Sequence, residues 1–169
     1  MENGRAVRWP ARYAPAISPV YVFNELDVAA RADVVWAWLI RAVLWPTWYA
    51  NSAHVRFVLG SPPDLALGVR FRWKTFGVSL ESCVLEFVPG ERIAWDARAR
   101  GVDAYHAWVL SSTAEGTHVI TAETQHGWLA RLAQTVMPHR MHKFHQLWLE
   151  QLRDRAASGF PPAGARSAS

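Results

Sequence analysis

The sequence has little of several features on which common protein classes depend. It contains one cysteine, Cys83, among 169 residues, which excludes an intramolecular disulfide and a multi-cysteine zinc site. The longest uninterrupted apolar run, Val34–Ile40, is far shorter than the ~20 residues that a membrane-spanning helix needs. The N-terminus has no apolar segment of the kind that secretory signals carry. We therefore expect a cytoplasmic protein without a membrane span.

Two further absences narrow the function. The sequence has no Gly-rich phosphate loop and no Ser-nucleophile elbow. Its net charge is +4, but arginines near the two ends supply much of the excess: Arg5, Arg8, Arg12 and Arg166. A nucleic-acid-binding domain usually presents its basic residues on a folded face. We therefore expect no nucleic-acid partner.

The chain has enough apolar residues for one well-packed domain. Hydrophobic residues make up 51% of the sequence, and ten residues are tryptophan, so a sizeable core is expected. The composition predicts an irregular N-terminal arm at 1–18, a single domain at 19–158 and a disordered C-terminal tail at 159–169.

The segment Asp103–Gly127 has the pattern of a long β-hairpin. Two alternating runs flank a polar turn that contains Gly116. If the turn is centred on Ala114–Glu115, then His106 lies directly opposite Glu123 on the neighbouring strand. The same register places Trp108 opposite Thr121 and Leu110 opposite Val119.

Earlier turns predict how the preceding strands pair. They lie at Phe76–Gly77, Pro89–Gly90 and Gly101–Val102. The pairs expected from them are Trp73 with Leu80, Phe71 with Ser82, Val84 with Trp95, Glu86 with Ile93, Ala97 with His106, and Trp95 with Trp108. All these registers place the tryptophans, His106 and Glu123 on one face and mostly charged residues on the other. We therefore expect the tryptophan-rich face to be inside.

Helical patterns lie on both sides of these strands. After a strand at Val20–Val28, the apolar segment Arg31–Leu44 is expected to form one or two short helices. Apolar residues recur at helical spacing over Trp128–Ala157, which predicts a long C-terminal helix that Pro138 kinks or breaks.

Three histidines on the C-terminal helix could suggest a metal site. His139, His142 and His145 are spaced so that they drift around a helix and do not converge on one ion. Because Arg140 and Lys143 lie beside them, we expect them on a solvated helix face. The sequence predicts neither a metal nor a cofactor.

The order of elements resembles a known superfamily. The motifs that carry the likeness are VVWAWL, WPTW, VLEFVPGERIAW, the hairpin HAWVL…GTHVITAE and the final amphipathic helix. The chain resembles the START-like (SRPBCC) helix-grip superfamily, which includes polyketide cyclase/dehydrase-like and Bet v 1-like proteins. The resemblance implies an α+β fold, in which a curved antiparallel β-sheet wraps around a long C-terminal helix and two short helices follow the first strand. It also implies an apolar cavity that binds lipids, polyketides or other small hydrophobic molecules.

The enclosed face supplies the candidate site. Bulky aromatic walls with a few polar groups are typical of a ligand pocket. The residues expected to bind a ligand are Phe71, Trp73, Ser82, Val84, Trp95, His106, Trp108, Thr121, Glu123, Gln125, Met141, Phe144 and Trp148. His106 and Glu123 could equally satisfy each other in a filled core, since a buried carboxylate needs partners.

The sequence leaves three functions open. The first is binding of a small hydrophobic molecule by a monomer or homodimer. The second is a polyketide cyclase/dehydratase-like lyase or isomerase, in which His106 is the general base and Glu123 orients it. The third is a protein-interaction module of the co-chaperone type, which would expose an apolar patch outside the cavity.

Overall fold

One antiparallel sheet of seven strands dominates the fold. A computed structural model describes residues 6–163. The strands follow the order β1-β7-β6-β5-β4-β3-β2, so each pairs with its neighbour in sequence except that β1 lies beside β7. Their bounds are β1 (Val20–Val28), β2 (Ala53–Leu59), β3 (Arg70–Thr75), β4 (Val78–Val88), β5 (Arg92–Ala99), β6 (Val102–Thr113) and β7 (Gly116–His126).

Four α-helices accompany the sheet in the described residues: α1 (Ala32–Ile40), α2 (Trp45–Trp48), α3 (Trp128–Val136) and α4 (Arg140–Ala156). The predicted C-terminal helix is thus two helices, because Pro138 cannot continue the hydrogen-bonding pattern of α3. The long helix α4 buries its inner stripe against the curved sheet. This arrangement confirms the α+β helix-grip fold class. None of the described helices is long and apolar enough to cross a membrane.

The central hairpin has the predicted register. His106 lies opposite Glu123, Trp108 opposite Thr121, and Leu110 opposite Val119. The β3–β4 hairpin also pairs as predicted, with Trp73 opposite Leu80 and Phe71 opposite Ser82. In both hairpins the turn sequence and the alternation specify the same pairing, and a slip by one residue would expose the apolar face.

Two predicted registers are wrong in part. Val84 does pair with Trp95, but an irregularity follows in β4, so that Phe87 and not Glu86 lies opposite Ile93. The β5–β6 turn is centred one residue earlier than predicted, which places Trp95 opposite His106 and Ala97 opposite Ala104.

A glycine explains the position of the β5–β6 turn. Gly101 has a φ of 81°, a left-handed conformation that favours glycine, whereas the β-branched Val102 is better suited to the strand that follows. The register error is two residues, an even number. Each side chain therefore still lies on the face that was predicted for it.

The outer face of the sheet is partly covered by the N-terminal arm. Tyr13 stacks on Tyr105 of β6 with ring centroids 5.2 Å apart, and its hydroxyl donates to Asp103 at 2.6 Å. The polar outer face is therefore not wholly solvated, and Asp96 is buried there.

At the other end of the chain, Gly159 accepts a hydrogen bond from the indole of Trp38 on α1. The remaining parts of the predicted arm and tail, 1–5 and 164–169, lie outside the described residues.

Part of the space under the sheet is filled by one aromatic side chain. Trp45 of α2 is fully buried. Its ring lies 5.8 Å from Phe71, 5.5 Å from Trp95 and 5.2 Å from Trp148, measured between centroids. Its indole N–H donates to the carbonyl of Leu39. The aromatic cluster leaves open space nearer to α3 and α4.

Candidate functional site

A cavity of about 340 Å³ lies between the curved sheet and the helices α3 and α4. Apolar side chains form most of its wall. Those from the sheet are Trp73, Val78, Leu80, Trp95, Ala97, Val102 and Ala104, and those from α3, α4 and the link between them are Leu129, Ala130, Leu132, Ala133, Val136, Met137, Met141 and Trp148. Polar groups lie on the same wall at His106, Glu123, Gln125 and His145.

The predicted ligand-binding residues divide into two groups. Those that line the cavity are Trp73, Trp95, His106, Glu123, Gln125, Met141 and Trp148. Those that lie outside its lining are Phe71, Ser82, Val84, Trp108, Thr121 and Phe144. Both groups come mostly from the same enclosed face of the sheet. They differ in their position along that face.

Neighbouring side chains account for the residues outside the lining. Trp45 packs over Phe71, and Trp108 packs edge-on against Trp148. Ser82 accepts a hydrogen bond from the Trp73 indole at 3.1 Å. Phe144 lies 5.3 Å from Phe76, at the turn between β3 and β4. These contacts make the residues part of the packed core or of its rim.

A buried cluster of two histidines and a glutamate lies at the polar end of the cavity. His106 Nδ1 is 3.2 Å from Glu123 Oε2, and His145 Nε2 is 3.1 Å from the same oxygen. Gln125 donates to Glu123 Oε1 at 2.6 Å. The second ring nitrogen of His106 lies 2.7 Å from the hydroxyl oxygen of Thr121. All three members of the cluster are buried, and Glu123 is the most accessible of them at 8% exposure.

Three elements position this cluster. His106 and Glu123 are cross-strand partners on β6 and β7, and their side chains point to the enclosed face. Gln125 lies two residues after Glu123 and therefore shares that face. His145 reaches the cluster from α4, and its ring is parallel to that of His106 with centroids 4.7 Å apart.

The position of His145 corrects the prediction of a solvated face for the helix histidines. His145 is buried at 1% exposure, whereas His139 and His142 are exposed. The helical spacing does indicate that His145 is buried, because it places His145 on the same side of the helix as Trp148, Leu149 and Leu152. The prediction assigned all three histidines to one face, although only His145 shares the apolar side of the helix.

Burial and mutual contact determine the charges in the cluster. Burial lowers the pKa of His106 to about 3, the Glu123 carboxylate opposes that shift, and His145 adds to it. Burial alone would raise the pKa of Glu123, but His106, His145 and Gln125 stabilise the carboxylate and leave its pKa below the ordinary value. We therefore assign an ionised Glu123 that accepts hydrogen bonds from a neutral His106, a tautomer inferred from its partners.

Exposed apolar side chains mark the mouth of the cavity. Leu132, Val136 and Met137 line the cavity and are nevertheless 53%, 66% and 42% exposed. Arg140, in the first turn of α4, also lines it and lies over the rings of Phe76 and Phe144. Within residues 6–163, no carboxylate is at ion-pair distance from Arg140. The mouth therefore combines apolar surface with one unpaired positive charge.

Comparison with known proteins identifies similar folds. No family model matches the chain, and no curated protein matches it. The chain is similar to the hypothetical protein jhp0584 of Helicobacter pylori, with 28% sequence identity and a TM-score of 0.85, over 92% of this chain and 99% of that one.

Two structures from biosynthetic systems are also similar. The di-domain ARO/CYC StfQ from the steffimycin biosynthetic pathway is 15% identical with a TM-score of 0.67. DynU16, a putative protein in the dynemicin biosynthetic locus, is 16% identical with a TM-score of 0.62. The matches cover 82% and 83% of this chain but only 51% and 48% of those chains. The likeness to these two structures shows a shared fold.

Proposed function

We propose that the protein binds a small, largely apolar molecule, lipid-like or polyketide-like, in the cavity between the sheet and α3 and α4. The observation that supports this most is the cavity itself. Its volume of about 340 Å³ falls within the roughly 300–1,000 Å³ typical of ligand sites, which are mostly apolar with a few placed polar groups.

The polar end of the cavity indicates what the inner end of the ligand carries. Glu123 accepts hydrogen bonds from His106, His145 and Gln125 and is still 8% exposed. A carboxylate accepts but cannot donate. A hydroxyl or another donor on the ligand is therefore the complementary group at this end.

The mouth indicates what the outer end of the ligand carries. Arg140 lines the cavity without a carboxylate partner, and a guanidinium pairs well with a carboxylate or phosphate. We therefore expect the preferred ligand to be an amphipathic acid, with its apolar body between Trp73, Trp95 and Trp148.

Native mass spectrometry of the purified chain tests this proposal. The expected result is a retained small molecule that is released on denaturation. If the chain is empty and also fails to bind medium-chain fatty acids, fatty alcohols or aromatic polyketide analogues, the proposal is wrong.

One observation favours an enzyme as the second candidate. His145 Nε2 contacts Glu123, while its Nδ1 has no hydrogen-bond partner among the described residues. Both ring nitrogens of His106 are already engaged, so His145 is the better proton acceptor for a cyclase- or dehydratase-like reaction. His145→Gln would then abolish turnover but preserve ligand affinity, whereas a pure binding protein has no turnover to lose.

Location and assembly belong to the same proposal. We expect the protein in the cytoplasm, because its single cysteine, Cys83, is compatible with a reducing compartment. Size-exclusion chromatography with light scattering distinguishes a monomer from a homodimer.

A further inference from the structure

We infer that His106, Glu123 and His145 form a site for one divalent transition-metal ion of the zinc class, with an open coordination position toward the cavity. Each residue offers one ligand atom, and the three atoms lie within 4.8 Å of one another. Two imidazole nitrogens and one carboxylate oxygen form a ligand set that zinc commonly adopts in sites that retain an exchangeable position.

The distances between the ligand atoms fit a small ion. Four-coordinate zinc has bonds of about 2.0–2.1 Å, which places its ligand atoms roughly 3.3 Å apart. The separations from Glu123 Oε2 are 3.2 Å to His106 Nδ1 and 3.1 Å to His145 Nε2. Two of the three separations therefore already match a bound site, and the two histidine nitrogens lie within 4.8 Å of each other.

The surroundings supply the supporting contacts that metal ligands normally have. The other nitrogen of His106 bonds to Thr121 at 2.7 Å, and the other oxygen of Glu123 accepts from Gln125 at 2.6 Å. Such outer contacts fix the orientation of the ligands. The parallel ring of His145 has to turn to direct its nitrogen at a shared ion, and no partner on its Nδ1 opposes that rotation.

The charge of the buried cluster also favours a bound cation. Within residues 6–163, no lysine or arginine lies at ion-pair distance from Glu123, although its side chain is only 11% exposed. A buried carboxylate without a cation is costly, and a dication would offset that cost. The open position would face the apolar cavity and accept an oxygen of a bound molecule, such as a hydroxyl or an enolate.

Metal titration of the full chain tests this inference. The chain is stripped with a chelator and titrated by calorimetry with zinc chloride or cobalt chloride alone. We expect one equivalent bound per chain, and with cobalt a visible absorption band of the kind given by nitrogen and oxygen ligands. Failure of the folded wild-type chain to bind one equivalent overturns the inference, whatever its variants do.

Variants show whether the ion binds at this cluster. We expect His145→Ala to weaken binding by more than about 100-fold, and Thr121→Val by about 10–100-fold, the usual effect of removing an outer-shell contact. His142→Ala is the matched control on the exposed side of the same helix and should bind as the wild type does. Equal affinities in His145→Ala and His142→Ala contradict the site. If His145→Ala does not fold, as judged by circular dichroism, Thr121→Val and the wild-type titration decide.

Discussion

The two ends of the enclosed sheet face differ in the size of their side chains, and this difference creates the site. Along the β5–β6 pair, Ile93 lies opposite Trp108 at one end and Ala97 lies opposite Ala104 at the other, with Trp95 and His106 between them. The large pair belongs to the filled core, whereas the alanine pair lines the cavity. The same strands and the same face thus build a core at one end and a pocket at the other.

The comparison also explains where the polar cluster lies. His106 is at the boundary, packed 5.1 Å from Trp95 and 5.4 Å from Trp108. Its aromatic neighbours exclude water on one side, and the cavity is open on the other. A polar group at such a boundary can be held rigidly and still meet a ligand.

The largest expected effect is at the filled end. Trp45→Ala should lower the free energy of unfolding by about 3–5 kcal/mol, because it leaves a void among Phe71, Trp95 and Trp148. Urea denaturation measures the change. Trp128→Ala, at a side chain that is 62% exposed, is the control and should change stability by about 0.5 kcal/mol or less. Similar losses in both variants would contradict the division between filled and open ends.

The next largest effect is a loss of folding stability at low pH, which we expect from His106 at the boundary between the filled end and the open end. The pKa of His106 is lowered to about 3 in the folded chain from 6.5, so over that range the unfolded chain binds the proton and the folded chain does not. Stability therefore rises with pH there, and it is lost on acidification. Glu123, whose folded pKa is also lowered, acts in the same direction at lower pH.

Unfolding at two pH values measures this effect. From about pH 7 to about pH 5, His106 should account for about 1–2 kcal/mol of lost stability. His106→Gln should reduce that pH dependence, whereas the exposed His142→Gln should retain it. An identical pH dependence in all three proteins would contradict the assignment of a neutral buried His106.

The sequence predicts the features that local patterns determine, and it does not predict contacts between segments that are distant in the chain. Alternation and turn residues were sufficient for the faces of the strands and for the contact between His106 and Glu123. A two-residue error at the β5–β6 turn did not change the faces, because the period of a strand is two.

The extent of the cavity could not be predicted in the same way. Trp45 fills one end from a helix that is distant in sequence from the strands it covers, and no local pattern reports that contact. For the same reason Phe71 and Trp108 were expected in a pocket and lie in the core. The prediction of a solvated histidine face is wrong for His145, and the sequence does not predict that α3 lines the cavity, because that contact also joins segments distant in sequence.

The smallest expected effect is at the mouth. Arg140→Gln should weaken binding of decanoate by about tenfold, equivalent to 1.4 kcal/mol, and leave decanol unchanged, because only the acid pairs with the guanidinium. Fluorescence of the tryptophans that line the cavity reports binding. Arg131→Gln, on α3 but outside the cavity lining, is the matched control. Equal losses for acid and alcohol would exclude an anion-specific role for Arg140.

The proposed function requires that the open end of the enclosed sheet face is a ligand cavity. One variant tests this directly. Ala104→Phe places a ring in the space between Ala97 and α3. We predict that it lowers decanoate affinity at least about tenfold and changes the free energy of unfolding by less than about 1 kcal/mol, since the ring occupies empty space. Ala66→Phe, at an exposed loop position, should bind as the wild type does. Unchanged affinity in Ala104→Phe, or a loss of stability of about 1–3 kcal/mol as in an overpacked core, would contradict the cavity.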